Sequence, residues 1–213
     1  YAAYGAEDQL EKTIAYIQKE YPDIPVILDA KRGDIGATAQ MYALEAFERY
    51  GADAVTVNPY MGGDTLQAFF EYSDKGVVVL CRTSNSGSAE FQSLESEGKS
   101  IAHHVAHSAV AWQAQENSAS VMLVVGATYP EELGEIRQII GDMPLLVPGV
   151  GAQGGGLQAV LEQGLTADKT GLMINSSRGI IYASEGDDFA EAAGRAAETL
   201  KDEINQIRAQ IGA

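Results

Sequence analysis

The run Asp29-Ala30-Lys31-Arg32-Gly33-Asp34 brackets one lysine with two acids, directly after the apolar stretch Val26-Ile27-Leu28. Side chains alternate along a strand, so Asp29 and Lys31 fall on the same side. Asp34 follows the turn at Gly33 and can return toward the lysine. Two carboxylates around one ammonium would keep it charged and fixed in place. Such an ammonium suits proton donation to a developing carbanion. The carboxylates could also repel a substrate anion whose charge disperses in the transition state. On spacing alone a structural ion pair is the commoner reading, because charged strand ends are frequent.

Three further clusters sit at the ends of apolar runs. Pro148-Gly149-Val150-Gly151-Ala152-Gln153-Gly154-Gly155-Gly156 lets backbone N–H groups converge on an anion. A helix beginning just after it would favour phosphate at its N-terminus. Asn175-Ser176-Ser177-Arg178-Gly179 offers a guanidinium able to hold phosphate bidentately. Taken alone, Arg178 reads as a surface ion pair; two anion-binding elements on consecutive strand ends favour phosphate. Cys81-Arg82-Thr83-Ser84-Asn85-Ser86-Gly87 supplies hydroxyl and amide groups, at Ser84 and Asn85, suited to a base or sugar. A capped turn explains that loop equally well. The loop from Asn58 to Gly63 carries no clear chemistry.

Other features point to packing. His103 and His107 stand four apart on a helix, but a metalloprotease motif needs Glu where His104 lies, so a surface helix is expected. Cys81, the one cysteine, reads as a small buried residue, and Trp112 and the methionines as packing. No Cys/His cluster supports zinc and no Ser-His-Asp arrangement is readable.

These residues need elements to hold them. The chain alternates short β-rich runs with longer amphipathic ones. Strands are predicted at Pro25 to Asp29, Ala54 to Asn58, Val77 to Cys81, Val121 to Val125, Leu145 to Val147 and Leu172 to Asn175. Several are continuous Val, Leu and Ile runs, as in parallel strands buried on both faces. Leu10, Ile14, Ile17 and Tyr21 recur at helical spacing. Phe189, Ala193, Ala196, Leu200, Ile204, Ile207 and Ile211 form one stripe of a last helix. Asp64 suits an N-cap and Pro130 a first helical position. A Rossmann fingerprint would follow an early strand, whereas the glycine-rich loop comes late, as in the seventh and eighth units of a (β/α)8 barrel. A TIM (β/α)8 barrel is therefore favoured, as one domain over residues 1–213.

The composition limits the function classes. The 213 residues are 46% hydrophobic and 21% charged, which is globular. Fourteen Lys and Arg against thirty Asp and Glu give a net charge of -16. That sign argues against a nucleic-acid or anionic-membrane partner. A lone cysteine fits a reducing compartment such as the cytoplasm. No apolar run approaches the ~18 residues of a membrane span, and no basic-then-apolar leader opens the chain.

Together the stretches VILDAKRGDIGAT (26–38), ADAVTVNPYMG (52–62), LCRTSNSG (80–87), VVGATYPEEL (124–133), PGVGAQGG (148–155) and INSSRGIIYA (174–183) resemble the orotidine 5'-phosphate decarboxylases, in particular their longer bacterial subfamily. The Asp-x-Lys-x-x-Asp element is shared with a wider superfamily of phosphate-binding barrels; KRGD, CRTSN and NSSRG together are more specific. The resemblance implies cofactor-free, metal-free decarboxylation of orotidine 5'-monophosphate to uridine 5'-monophosphate. It implies Lys31 as proton donor to C6, and Asp29 beside the departing carboxylate. Asp34 and Thr38 would reach the neighbouring subunit's site in an obligate homodimer. Ser84 would contact the pyrimidine, with Asn85 beside it. Gln153 and Arg178 would close over the phosphate, with Gly151, Gly154, Gly155, Ser177 and Gly179 forming the loops around it. The family also carries an Asp on its first strand and a Lys on its second, and Tyr1-Ala2-Ala3-Tyr4-Gly5-Ala6 looks like the segment just after that second strand. About six of the eight strands are thus expected here. Two other readings stay open: a related sugar-phosphate decarboxylase or aldolase barrel, in some cases using Mg²⁺, and a truncated barrel that binds a nucleotide without turnover.

Overall fold

The computed structural model describes residues 1–116, 118–150 and 156–211. The chain divides into two compact units, one of residues 1–80 and 108–122, the other of 81–107 and 123–213.

In the first unit, β1 (Ile27–Arg32), β2 (Ala54–Val57), the start of β3 (Gly76–Arg82) and the start of β6 (Ser120–Val125) follow one another in sheet order. Every residue of β2 is buried, as a continuous apolar run requires of a central parallel strand. Its register against β3 is regular, from Ala54 opposite Gly76 to Val57 opposite Val79. Helix α1 (Glu7–Glu20) covers its core with Ile14. Tyr21 falls outside the helix, at the C-cap, and is exposed. Helix α2 (Gly36–Leu44) buries Ala39 and Ala43 and continues through a π turn, Glu45–Arg49. Trp112 packs on Phe70 and lies against Gly63, where a Cβ would come within 2.6 Å of the indole. Asp64 departs from expectation. It sits inside a 3₁₀ turn, Gly63–Thr65, and the next helix, α3 (Gln67–Phe70), is preceded by Leu66 with no side-chain cap.

The second unit continues the order with the ends of β3 and β6, then β7 (Leu145–Pro148) and β8 (Leu172–Asn175). β7 pairs in parallel with β6, Leu123 facing Leu145, and with β8, Leu145 facing Leu172. A two-residue hairpin, β4 (Glu95–Ser96) and β5 (Lys99–Ser100), follows the short helix α4 (Ala89–Gln92). It leads into α5 (Ile101–Gln113), where His103 pairs with Glu135 and His104 with the Ser96 carbonyl. No group of three metal-ligating side chains occurs among the described residues. Pro130 opens α6 (Pro130–Ile140) as expected. Helix α7 (Leu157–Gly164) starts directly after Gly156, also as expected. In α9 (Phe189–Gln210) the stripe from Ala193 to Ile207 is half-buried. Phe189 at its start is exposed, and Ala192 is the buried residue of that first turn.

Within the six-stranded sheet the strands are sequential neighbours, and the pairings β1–β2, β2–β3, β6–β7 and β7–β8 are parallel. A doubly wound sheet reverses its strand order at a switch point, and none occurs among the described residues. This is the winding of a (β/α)8 barrel. No described helix is long and apolar enough to cross a membrane.

Cys81 is buried and directs its Sγ at the Ala102 carbonyl, 3.2 Å away. Burial pushes its thiol up to about 12. Because the thiolate is the nucleophile, iodoacetamide at about pH 8 should leave the folded protein unmodified and label Cys81 fully after denaturation. Rapid labelling of the native protein would contradict this placement.

Candidate active site

In the first unit, β1 runs three residues beyond its expected end, through Arg32. The polar residues there remain paired to β2 through an irregular register. Leu28 faces Val55 and Arg32 faces Val57, so Asp29, Ala30 and Lys31 all oppose Thr56. Lys31 takes a left-handed backbone conformation, φ 50°. Bulges of this kind re-aim side chains and are common beside active sites. Lys31 Nζ donates to both oxygens of Asp29, at 2.6 and 2.7 Å. The two side chains are 50% and 59% exposed, so the pair faces an open end of the strand.

Thr56, fully buried, ties this pair down. Its hydroxyl accepts from the Lys31 backbone N–H at 2.9 Å and donates to Asp29 Oδ1 at 2.9 Å. Arg32 leaves the site for Glu45, at 2.6 Å, and lies over Tyr42. Asp34 does not return to Lys31 within the chain. Its Oδ1 instead accepts the adjacent Ile35 N–H at 2.8 Å, just before α2 begins. Thr38 is exposed on the first turns of α2, on the same face as exposed Ile35 and Met41.

In the second unit, the end of β3 carries the Ser84 loop. Arg82 is 1% exposed and organises it. Its guanidinium meets Glu132 through Nε at 2.6 Å and Nη2 at 3.1 Å, stacks on Tyr129, and donates to Ser88 Oγ. Burial opposes the charge, but the bonds to Glu132 outweigh it and hold the arginine above its ordinary value. Gln92 Oε1 accepts the Thr83 N–H at 2.8 Å, and Thr83 donates its hydroxyl to Asn85 Oδ1 at 2.7 Å. Ser84 is backed by Gly126, where a Cβ would lie 2.8 Å from the Ser84 N, so only glycine permits that approach. The loop is thus braced from both sides, with Ser84 half-buried and Asn85 exposed.

Arg178 opens the short helix α8 (Arg178–Ile181), exposed and in no ion pair among the described residues. Ser177 precedes it, donating to Asn175 Oδ1 at 3.2 Å, and Gly179 packs against Ser176, whose Oγ would lie 2.8 Å from an added Cβ. Gly151, Gln153, Gly154 and Gly155 lie outside the described residues.

Sequence reasoning passed over Thr56 and Arg82. The signal for Thr56 was a hydroxyl in the middle of Ala-Val-Thr-Val. The signal for Arg82 was a cation ending an otherwise apolar strand.

Residues 1–193 match the model of the orotidine 5'-phosphate decarboxylase / HUMPS family. The chain is 58% identical over 209 residues to an orotidine 5'-phosphate decarboxylase of Ralstonia pickettii (strain 12J), covering 98% of this chain and 76% of that protein. It is similar to the structure of a Leishmania donovani OMP decarboxylase, with a TM-score of 0.80 and 43% identity, covering 93% of this chain and 73% of that one. It is also similar to the orotidine 5'-monophosphate decarboxylase of Methanocaldococcus jannaschii complexed with the inhibitor BMP, with a TM-score of 0.68 and 27% identity, covering 89% and 79%.

Proposed function

The chain belongs to the orotidine 5'-phosphate decarboxylase / HUMPS family and serves the decarboxylation of orotidine 5'-monophosphate to uridine 5'-monophosphate in pyrimidine biosynthesis; on that premise we propose that Lys31 is the group that protonates C6 of the pyrimidine. The observation that carries this reading is the ammonium of Lys31 held by both oxygens of Asp29 at an exposed strand end.

The C6–carboxylate bond breaks and its electron pair stays on C6. Carbon dioxide leaves, the Nζ proton moves to C6, and solvent then reprotonates the amine. Asp29 holds Lys31 in line and faces the departing carboxylate. A preoriented donor spares the entropy of bringing acid and carbanion together. Ser84 and Asn85 hold the base, a role supported by the bracing of their loop through Arg82 and Gln92. Arg178, Ser177 and Gly179 hold the phosphate with Gln153 and the 151–155 glycines. The exposed guanidinium of Arg178, in no ion pair among the described residues, supports this, as does the start of α7 just after that loop in the chain. Binding energy from the remote phosphate is then available to the reaction at the ring.

Asp34 and Thr38 complete a neighbouring subunit's site in a homodimer. Support comes from Asp34 bonding the Ile35 N–H, with no ion pair to its own Lys31 among the described residues, and from the exposed Ile35, Met41 and Leu44 near Thr38, apolar surface suited to a second copy. The single buried thiol suits a cytoplasmic enzyme.

The test is turnover of orotidine 5'-monophosphate in heavy water, with and without chelator. One deuterium at C6 of the product and no chelator effect are expected. Chelator-sensitive activity on a keto-sugar phosphate would favour the sugar-phosphate reading instead. Nucleotide binding without turnover by the full-length protein would favour a non-catalytic barrel.

A further inference from the structure

We infer that Thr56 is a positioning residue for the reaction: its buried hydroxyl, on β2, sets the orientation of Asp29 and, through it, of Lys31. The inference rests on the reading of Lys31 as proton donor.

The bulge creates the need. Three residues of β1 oppose Thr56 alone, and the left-handed turn at Lys31 takes its N–H off the regular ladder. A left-handed non-glycine residue costs on the order of 1 kcal/mol and persists only where its surroundings hold it. The Thr56 hydroxyl supplies that hold by accepting the Lys31 N–H at 2.9 Å. The same oxygen carries one proton, and it goes to Asp29 Oδ1 at 2.9 Å. Asp29 Oδ1 therefore has two donors, Thr56 and Lys31, while Oδ2 has Lys31. The carboxylate cannot rotate without breaking one of these bonds. Thr56 itself cannot move, since Val55 and Val57 beside it and Val78 opposite it are fully buried. A solvent-exposed ion pair is otherwise loose. Here a buried, doubly engaged hydroxyl pins its carboxylate end.

Valine has the shape of threonine without a donor or acceptor; serine keeps both. Thr56→Val should lower kcat about 10- to 100-fold, the cost of misplacing a reacting group by about 1 Å, with KM for orotidine 5'-monophosphate within about twofold. Thr56→Ser should restore kcat to within about threefold of the wild type. If Thr56→Val does not fold, Thr56→Cys, a near-isostere of the serine variant with only weak hydrogen bonding, carries the same comparison against Thr56→Ser. A merely structural role would lower the folding midpoint and leave kcat per folded molecule unchanged, and that result would overturn the inference. So would equal losses in Thr56→Val and Thr56→Ser, or a loss confined to KM. Lys31→Ala, measured in parallel on the full-length protein, separates the two levels. An inactive Lys31→Ala with a fully active Thr56→Val defeats this inference alone. An active Lys31→Ala defeats the proton-donor reading beneath it.

Discussion

Lys31→Ala should lower kcat by about 10³-fold or more while moving Tm by no more than about 2–4 °C. Removing a general acid costs about 10²–10⁴-fold, and the remaining Asp29 carboxylate would face the substrate carboxylate with no ammonium between them. A thousandfold loss is about 4 kcal/mol of transition-state stabilisation. Stability responds differently because both partners of the pair are about half exposed. Exposed pairs contribute about 0–1 kcal/mol, which for a chain of this size is only a few degrees. Lys31→Arg should not rescue turnover, since guanidinium holds its proton too tightly and cannot take the same point position over C6. Turnover of Lys31→Ala within tenfold of the wild type would sink the assignment.

The largest expected effect on stability lies elsewhere, at Arg137 in α6. This buried cation has no carboxylate within ion-pair reach among the described residues. It donates instead to four carbonyls: Gly164 at 2.7 Å, Gly141 at 2.6 Å, Met143 at 2.7 Å and Gly171 at 3.0 Å. Those carbonyls close α7, end α6, and lead into β7 and β8. Burial pulls the arginine below its ordinary value, yet the guanidinium remains the one group with enough donors for all four. Two of the acceptors stand at helix C-termini, where a cation is favoured. Each buried acceptor left unsatisfied costs about 1–3 kcal/mol, some of it recovered by entering water. Arg137→Ala should therefore lose about 3–5 kcal/mol, against a total of about 5–15, and lower Tm by about 10 °C. Arg137→Lys should fall between, because an ammonium cannot span four carbonyls. A fall under about 3 °C for the alanine variant would contradict this account. None of its partners belongs to the site, so kcat below the transition should be unchanged.

Several of these features were legible in the chain. The runs at 54–58, 121–125 and 172–175 became strands almost as bounded, because a continuous Val/Leu/Ile run has few alternatives between helices. Asp29 and Lys31 met as their spacing required. The stripe of α9 held from Ala193 onward and failed at Phe189, where the helix has only begun. Arg137 had a signal that went unread: it shares the buried face of Leu133, Ile136 and Ile140 at helical spacing.

Other residues depended on partners that no local pattern names. β1 was expected to end at Asp29; it runs on to Arg32, where Thr56, 25 residues from Lys31, accepts the displaced N–H. The expected return of Asp34 to Lys31 gave way to a shorter-range bond with Ile35, closing the loop before α2. Asp64 lost its cap to a tighter turn. Arg82 found Glu132 fifty residues on.

The sequence by itself determined the order of the main strands and helices and the acid–lysine pair. These follow from periodicity and residue type, which act over a few neighbours. The tertiary structure decided how that chemistry is held: which hydroxyl pins Asp29, which acid neutralises Arg82, which carbonyls surround Arg137. Those choices are made between residues far apart in the chain, where burial turns an unsatisfied polar group into a cost that only one geometry removes.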